Sequence, residues 1–261
     1  MTLRERLLRW HWLLSAQFGL DMLKLWRSLR AVPRYLAALA RFRAAYRGRL
    51  ELVPCLHDWS EEGGAAAKDE YFWQDLLVAR KVFAARPEKH VDVGSRVDGF
   101  VAHVASFREI EVFDVRPNSA QVPGVRFRQA DFTQPLQSMD GYCDSLSCLH
   151  ALEHFGLGRY GDPIDPAGWK RGLANMARLL RPRGMLYLSL PIGMERVEFN
   201  AQAVHDARSV IRVAAQHTLE LTALTVIRPN AAPEELRPDE AELSRVAGER
   251  YVLGLFVFQK S

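Results

Sequence analysis

Cysteine is scarce in this chain. Cys55, Cys143 and Cys148 are the only three in 261 residues, an odd count with no Cys-x-x-Cys pair. That excludes a disulfide framework or a zinc ribbon and fits a reducing cytoplasm. Long apolar runs are also missing. The longest early stretch free of Lys, Arg, Asp and Glu is 10–20, 11 residues with two tryptophans. A membrane span needs about 18 or more apolar residues, and no small-residue cleavage site follows, so neither a span nor a secretion signal is expected. A net basic excess is lacking outside the first 50 residues. Those hold eleven Lys/Arg against Glu5 and Asp21, a balance of +9, which leaves −5 for the rest of a chain whose formal charge is +4. The overall basicity therefore gives no reason to expect nucleic-acid binding by the main body.

What is present is an ordinary globular composition, 48% hydrophobic and 25% charged, long enough for one large core plus an appendage. The division expected is a basic helical extension over 1–50 and an α/β domain over 51–261. Residues 3–31 read as an amphipathic helix with Leu7, Leu14, Phe18, Leu25 and Leu29 on one stripe, and Pro33 starts a second one. Such an element suits an anionic membrane surface, here the inner membrane face, or else protein: the main domain, or a second copy across a homodimer interface. Apolar stripes on helices face protein more often.

From Tyr71 a helix leads into His90-Val-Asp-Val-Gly-Ser-Arg-Val-Asp-Gly-Phe100, a buried strand, a glycine-bearing turn and a helix. A turn of this kind aims free N–H groups at a ligand. Gly-x-Gly-x-x-Gly is absent, since Arg96 stands at the second position. Strand signals recur at 110–113, 125–127, 142–148, 185–190, 219–227 and 251–258, with helical or irregular spacers, and Asp206 is placed to cap a helix running to Gln216. Seven strands, five alternating with helices and two closing as a hairpin, predict a doubly wound Rossmann-like sheet with one antiparallel edge strand.

Over roughly 71–258 the sequence resembles class I S-adenosylmethionine-dependent methyltransferases. Asp92-x-Gly94 matches their first motif, and the turn it opens, with Ser95 and Arg96, is implied to hold the methionyl part of S-adenosylmethionine. Asp114, 22 residues beyond Asp92, stands where an acid holds the ribose hydroxyls. Asp131, followed by Phe132, stands where one accepts from the adenine amino group. A narrower resemblance is to uncharacterised methyltransferase-like proteins of bacteria and nematodes. It rests on 91–100, on Phe113-Asp-Val-Arg-Pro117, and on Leu149-His-Ala-Leu-Glu-His-Phe-Gly-Leu-Gly-Arg-Tyr-Gly-Asp-Pro-Ile-Asp-Pro166. Proteins of this kind occur with bacterial surface-polysaccharide functions, which implies a small-molecule or glycan acceptor. Gln202-Ala203 departs from the His-Arg they carry after Glu198-Phe-Asn-Ala201.

Methyl transfer to a hydroxyl needs an acceptor held in line and a base. The loop after the fourth strand offers His150 or His154 as that base, Glu153 to orient an imidazole, and Tyr160 and Asp162 for substrate hydroxyls. Glu195, Arg196 and Asn200 leave the fifth strand on the same sheet face and are further candidates for substrate contact. Arg96 could pair with Asp98 or meet the cofactor carboxylate, which guanidinium binds bidentately. The letters His-x-x-Glu-His also spell a zinc-hydrolase pattern, but Gly156 and Gly158 shorten any helix there, so no resident metal is assigned; a divalent ion assisting through Glu153, Asp162, Asp165 or His205 stays open. A non-catalytic cofactor-binding scaffold in glycan assembly and an NAD-dependent sugar-modifying enzyme using Asp114 for ribose are the alternatives.

Overall fold

The computed structural model describes residues 3–57, 59, 62–136 and 139–261. Contacts divide the chain into two compact units, one up to Ala65 and one from Ala66 onward.

In the first unit, α1 (Leu3–Trp12) continues through a π-helical turn at Leu13–Gln17, and α2 spans Met22–Ala45. The break expected at Pro33 falls instead at 18–21. Gly19 adopts φ +70°, and the Asp21 carboxylate accepts the Lys24 N–H at 2.9 Å to cap α2. Pro33 sits inside α2, where it withholds one N–H without ending the helix. Leu25, Trp26 and Leu29 remain more than half exposed. Among the described residues no helix is long and apolar enough to cross a membrane.

The second unit is a three-layer α/β domain. Its strands are β1 (His90–Val93), β2 (Ile110–Asp114), β3 (Val125–Gln129), β4 (Cys143–Leu149), β5 (Leu180–Ile192), β6 (Arg196–Glu198), β7 (Gln202–Val204), β8 (Leu219–Ile227), β9 (Glu234–Leu236) and β10 (Val252–Lys260). The main sheet runs β3-β2-β1-β4-β5-β10-β8-β9, with β1 to β5 parallel and β10 antiparallel to both neighbours. This is the doubly wound sheet expected, with two corrections. It has eight strands rather than seven, because Glu234–Leu236, inside the Pro- and charge-rich excursion, pairs with β8. The antiparallel hairpin strand β10 also lies between β5 and β8 rather than at the edge. Its first seven residues are all buried, which an apolar run flanked on both sides permits, whereas β8 keeps exposed or half-buried positions over much of its length.

The period of two sorts side chains to the two faces. Phe256 and Phe258 point with Leu186 and Leu188 toward α5 (Gly168–Leu179), α6 (Ala207–Ala215) and α7 (Glu240–Ala247). Leu255, Val257 and Tyr187 point toward α3 (Glu70–Ala85) and α4 (Ala102–Ala105). Leu173 and Met176 of α5 are fully buried, each contributing about 1.5–3 kcal/mol. Asp206 caps α6 as its position predicts, accepting the Arg208 N–H at 2.9 Å. Since β2 and β3 extend the sheet one way from β1 while β4 and β5 extend it the other, the strand order reverses between β1 and β4. That crevice, at the strands' carboxyl ends, is where ligands bind in open α/β sheets.

Candidate active site

A cavity of about 380 Å³ opens at that reversal point, within the size range of small-molecule sites. Gly94 after β1, Asp114 closing β2, Asp131 after β3 and His150 after β4 all line it. The three positions predicted to carry a nucleoside thus share one rim.

The turn after β1 is held from beneath. Asp92 is fully buried and accepts from Ser95 N at 3.0 Å, Ser95 Oγ at 2.7 Å and Ser147 Oγ at 2.5 Å. Ser95 Oγ in turn accepts from Leu149 N, tying the turn to the end of β4. Neither Asp92 nor Ser95 lines the cavity; both shape its floor from behind. Burial pushes the Asp92 carboxyl up to about 6 against those donors. Gly94 adopts φ +73° and donates to Phe113 O, and a Cβ there would stand 2.9 Å from Ala151 Cβ. From α3, buried Asp75 accepts from Gln74 Nε2 at 3.1 Å, and its carboxylate would collide with any side chain at Gly99. Arg96 lines the cavity but is bound bidentately by Asp98, at 3.0 and 2.7 Å.

On the rim, Asp114 accepts three donors from Arg116: the backbone N–H and Nε on Oδ1 at 2.8 and 3.0 Å, and Nη2 on Oδ2 at 2.6 Å. Asp131 Oδ1 accepts from Thr133 N and Oγ1, an Asx turn in which Oδ2 takes no part. Phe113 and Phe132, 5.6 Å apart edge to face, form an apolar wall beside these acids.

The loop after β4 builds the cavity's other side. His150 sits at φ +51°, its Nδ1 2.8 Å from Glu153 Oε1 and its Nε2 3.4 Å from Glu70 Oε1. Its ring stacks on Tyr71 at 4.5 Å. Burial would lower its pKa, but the two carboxylates outweigh that and hold it up to about 9. His150 is therefore an imidazolium at neutral pH. His154 shows the opposite balance: burial and nearby Arg159 keep its pKa below the usual imidazole value, despite Glu153 at 3.8 Å. Glu153 is fully buried yet held below its ordinary range by His150, which overcomes desolvation. Glu153 and His154 lie in a short 3₁₀ turn, Leu152–His154, and His150 precedes it, so the sustained helix of a zinc-hydrolase motif is not formed. Among the described residues no group of three or more His, Cys, Asp or Glu is arranged to hold a metal ion.

Tyr160 and Asp162 also line the cavity, but Asp162 is committed to the loop. It accepts from Gly156 N at 2.7 Å, Gly158 N at 3.4 Å and Tyr160 N at 3.2 Å. Glu195, Arg196 and Asn200 are not brought into the cavity. Glu195 and Asn200 are exposed, and Arg196 is bound by Glu198 and by the carbonyls of Met194 and Arg250. Gln202, the point of departure noted in the sequence, lines it instead. Four contributors went unassigned in the sequence: Glu70 and Tyr71, which reach His150 from 80 and 79 positions earlier, and Arg116 and Arg159. The string containing Asp114-Val-Arg116 and the loop containing Arg159-Tyr160 were the signals for the last two.

A family model described as a Caenorhabditis protein of unknown function, DUF268, matches residues 122–218. Among curated proteins none matches the sequence. Solved structures do match in shape. A geranyl diphosphate methyltransferase in complex with SAM superposes with a TM-score of 0.54 at 13% identity, covering 77% of this chain and 92% of that one. A proposed sarcosine dimethylglycine methyltransferase from Galdieria sulphuraria gives 0.50 at 14%, covering 72% and 86%. The chain has the class I methyltransferase fold. In that fold the crevice between β1 and β4 is the cavity described above, and the chain's turn, rim acids and histidine loop all face it.

Proposed function

We propose that this protein is an S-adenosylmethionine-dependent methyltransferase acting on a hydroxyl of a sugar or glycan precursor. The observation that carries the reading is the convergence of Gly94, Asp114 and Asp131 on one cavity at the strand-order reversal of this fold. The cavity fits the cofactor. Gly94 leaves room that a Cβ would fill, Asp131 keeps Oδ2 for an amino donor, and Phe113 with Phe132 offers an apolar wall to a ring. Asp114 is the acceptor for ribose hydroxyls. Bound there, S-adenosylmethionine supplies an electrophilic methyl group on a sulfonium.

The chain's own contribution is positioning and proton transfer. Of the two histidines, His154 is the one that can take the acceptor's proton, because it is neutral near pH 7 while His150 is already charged. Environments that push paired titratable groups apart in this way separate their roles. His150, clamped between Glu153 and Glu70, fixes the loop and holds Glu153 as a carboxylate. The sugar acceptor rests on the resemblance of the 149–166 string, and in that setting the basic, apolar-faced first unit would recruit the enzyme to membrane-associated glycan assembly. Calorimetric titration of the full chain with S-adenosylhomocysteine and NAD tests the reading. Homocysteine-product binding in the micromolar range without NAD binding is expected; NAD binding alone points to a nicotinamide enzyme, and binding of neither removes the reading.

A further inference from the structure

Two cations on the cavity rim are assigned no ligand by the chemistry above. The Arg116 guanidinium lies 4.5 Å from the Tyr160 ring centroid and that of Arg159 lies 5.1 Å from it. Both side chains are exposed and both line the cavity. Arg159 has no carboxylate partner among the described residues. Its Nη1 donates to Ala201 O at 2.7 Å and approaches His154 Nδ1 at 3.5 Å. The loop acid Asp162 has its oxygens turned to backbone N–H groups.

Arg116 differs in being held by Asp114, and the count of acceptor positions makes that hold conditional. A carboxylate offers about four lone-pair sites. Arg116 fills three of them through its backbone N–H, Nε and Nη2. A ribose diol needs two, so at least one of the three bonds must yield when the sugar docks on Asp114, and the side-chain bonds, free to rotate away, yield before the backbone one. A planar, always-charged fork is thereby released beside Tyr160, facing the same space as Arg159. Guanidinium groups in this position recognise oxyanions bidentately.

We propose that Arg116 and Arg159, gathered on the Tyr160 ring at the cavity rim, bind an oxyanion of the acceptor, phosphate or carboxylate, and that donor binding strengthens this site by drawing Asp114 away from Arg116. The inference rests on the methyltransferase reading and narrows its acceptor to an anionic one. By linkage the coupling is reciprocal, so the anion tightens donor binding by the same factor.

The test is calorimetry on the full chain with pyrophosphate, alone and with saturating S-adenosylhomocysteine. Pyrophosphate is expected to bind about fivefold or more tightly when the nucleoside is present, the low end of ordinary coupling. Arg159→Ala should weaken pyrophosphate binding at least ~10-fold while binding S-adenosylhomocysteine as the wild type does, which also shows that the variant is folded. Arg116→Ala should abolish the coupling and, with its competitor for Asp114 gone, bind S-adenosylhomocysteine alone more tightly. Parallel titrations with inorganic phosphate and acetate assign the oxyanion by whichever binds more strongly. If S-adenosylhomocysteine binds but pyrophosphate and acetate do not, or if Arg159→Ala binds the anion unchanged, the inference fails and the methyltransferase reading stands. If S-adenosylhomocysteine does not bind the wild type, that reading fails and the inference with it.

Discussion

Raising the pH from 6.5 to 9.5 should destabilise the fold chiefly through His150. In the unfolded chain an imidazole titrates near 6.5; in the folded chain Glu153 and Glu70, overcoming burial, hold His150 up to about 9. Below 6.5 both states carry the proton and the stabilisation is complete. Between 6.5 and 9 the folded state keeps a proton that the unfolded state has lost, so stability falls as pH rises. Each pH unit is worth about 1.36 kcal/mol, so the contribution is on the order of 3 kcal/mol across the interval. The buried thiols of Cys143 and Cys148, held well above the ordinary thiol range by burial, add a further fall that begins as unfolded thiols ionise above about pH 8.5, while the remaining displaced groups act mainly outside the interval. Asp75 and Asp92, raised to about 6 by burial, lower stability as pH rises from about 3.8 to 6. His205, lowered to about 4 by burial, costs stability as pH falls from 6.5 to 4. Urea unfolding at pH 6.5, 8 and 9.5, on the wild type and on His150→Gln, isolates the His150 contribution. The wild type should lose roughly 3 kcal/mol more than the variant over this range, the thiol contribution being common to both. A wild-type stability flat to about 0.5 kcal/mol over this range, or the same slope in the variant, would refute the imidazolium assignment.

Two further outcomes follow from the geometry. Gly94→Ala places a Cβ at φ +73° and 2.9 Å from Ala151 Cβ, so it should cost about 1–3 kcal/mol in chemical denaturation; a cost under about 0.5 kcal/mol would mean the turn relaxes freely. In an NMR titration of the histidine ring protons, His154 should show a midpoint below the usual imidazole value because burial disfavours its charged form. A midpoint above about 7.5 would remove it as the base.

Much of the sheet was legible because its strands are short apolar runs bounded by turn residues. Leu219–Ile227 has the limits expected, and the Asp206 cap needs only a carboxylate two residues before the N–H it accepts. The misses have local and non-local causes. Pro33 looked like a helix start, but Gly19 and Asp21 provide a stronger break nearby, and a helix tolerates one missing N–H. β9 is three residues long, too short for periodicity, and exists because β8 presents an edge for it to pair with. At the site, backbone positions were readable and side-chain duties were not. Gly94, Asp114 and Asp131 follow from where strands end. By contrast, Asp162 turns inward to loop N–H groups, and Arg196 to Glu198, through contacts that spacing does not encode. The division of labour between His150 and His154 depends on Glu70, which arrives from the start of α3.

The account stands on a nucleoside lying across one rim, and the most direct measurement is a crystal structure of the protein grown with S-adenosylhomocysteine. The account predicts density between Gly94 and Asp131, with the ribose hydroxyls about 2.6–3.0 Å from the Asp114 carboxylate and the Arg116 side chain withdrawn from at least one of its bonds to it. Density for the nucleoside elsewhere on the chain, or an Asp114–Arg116 pair unchanged with the ribose out of reach, would contradict it.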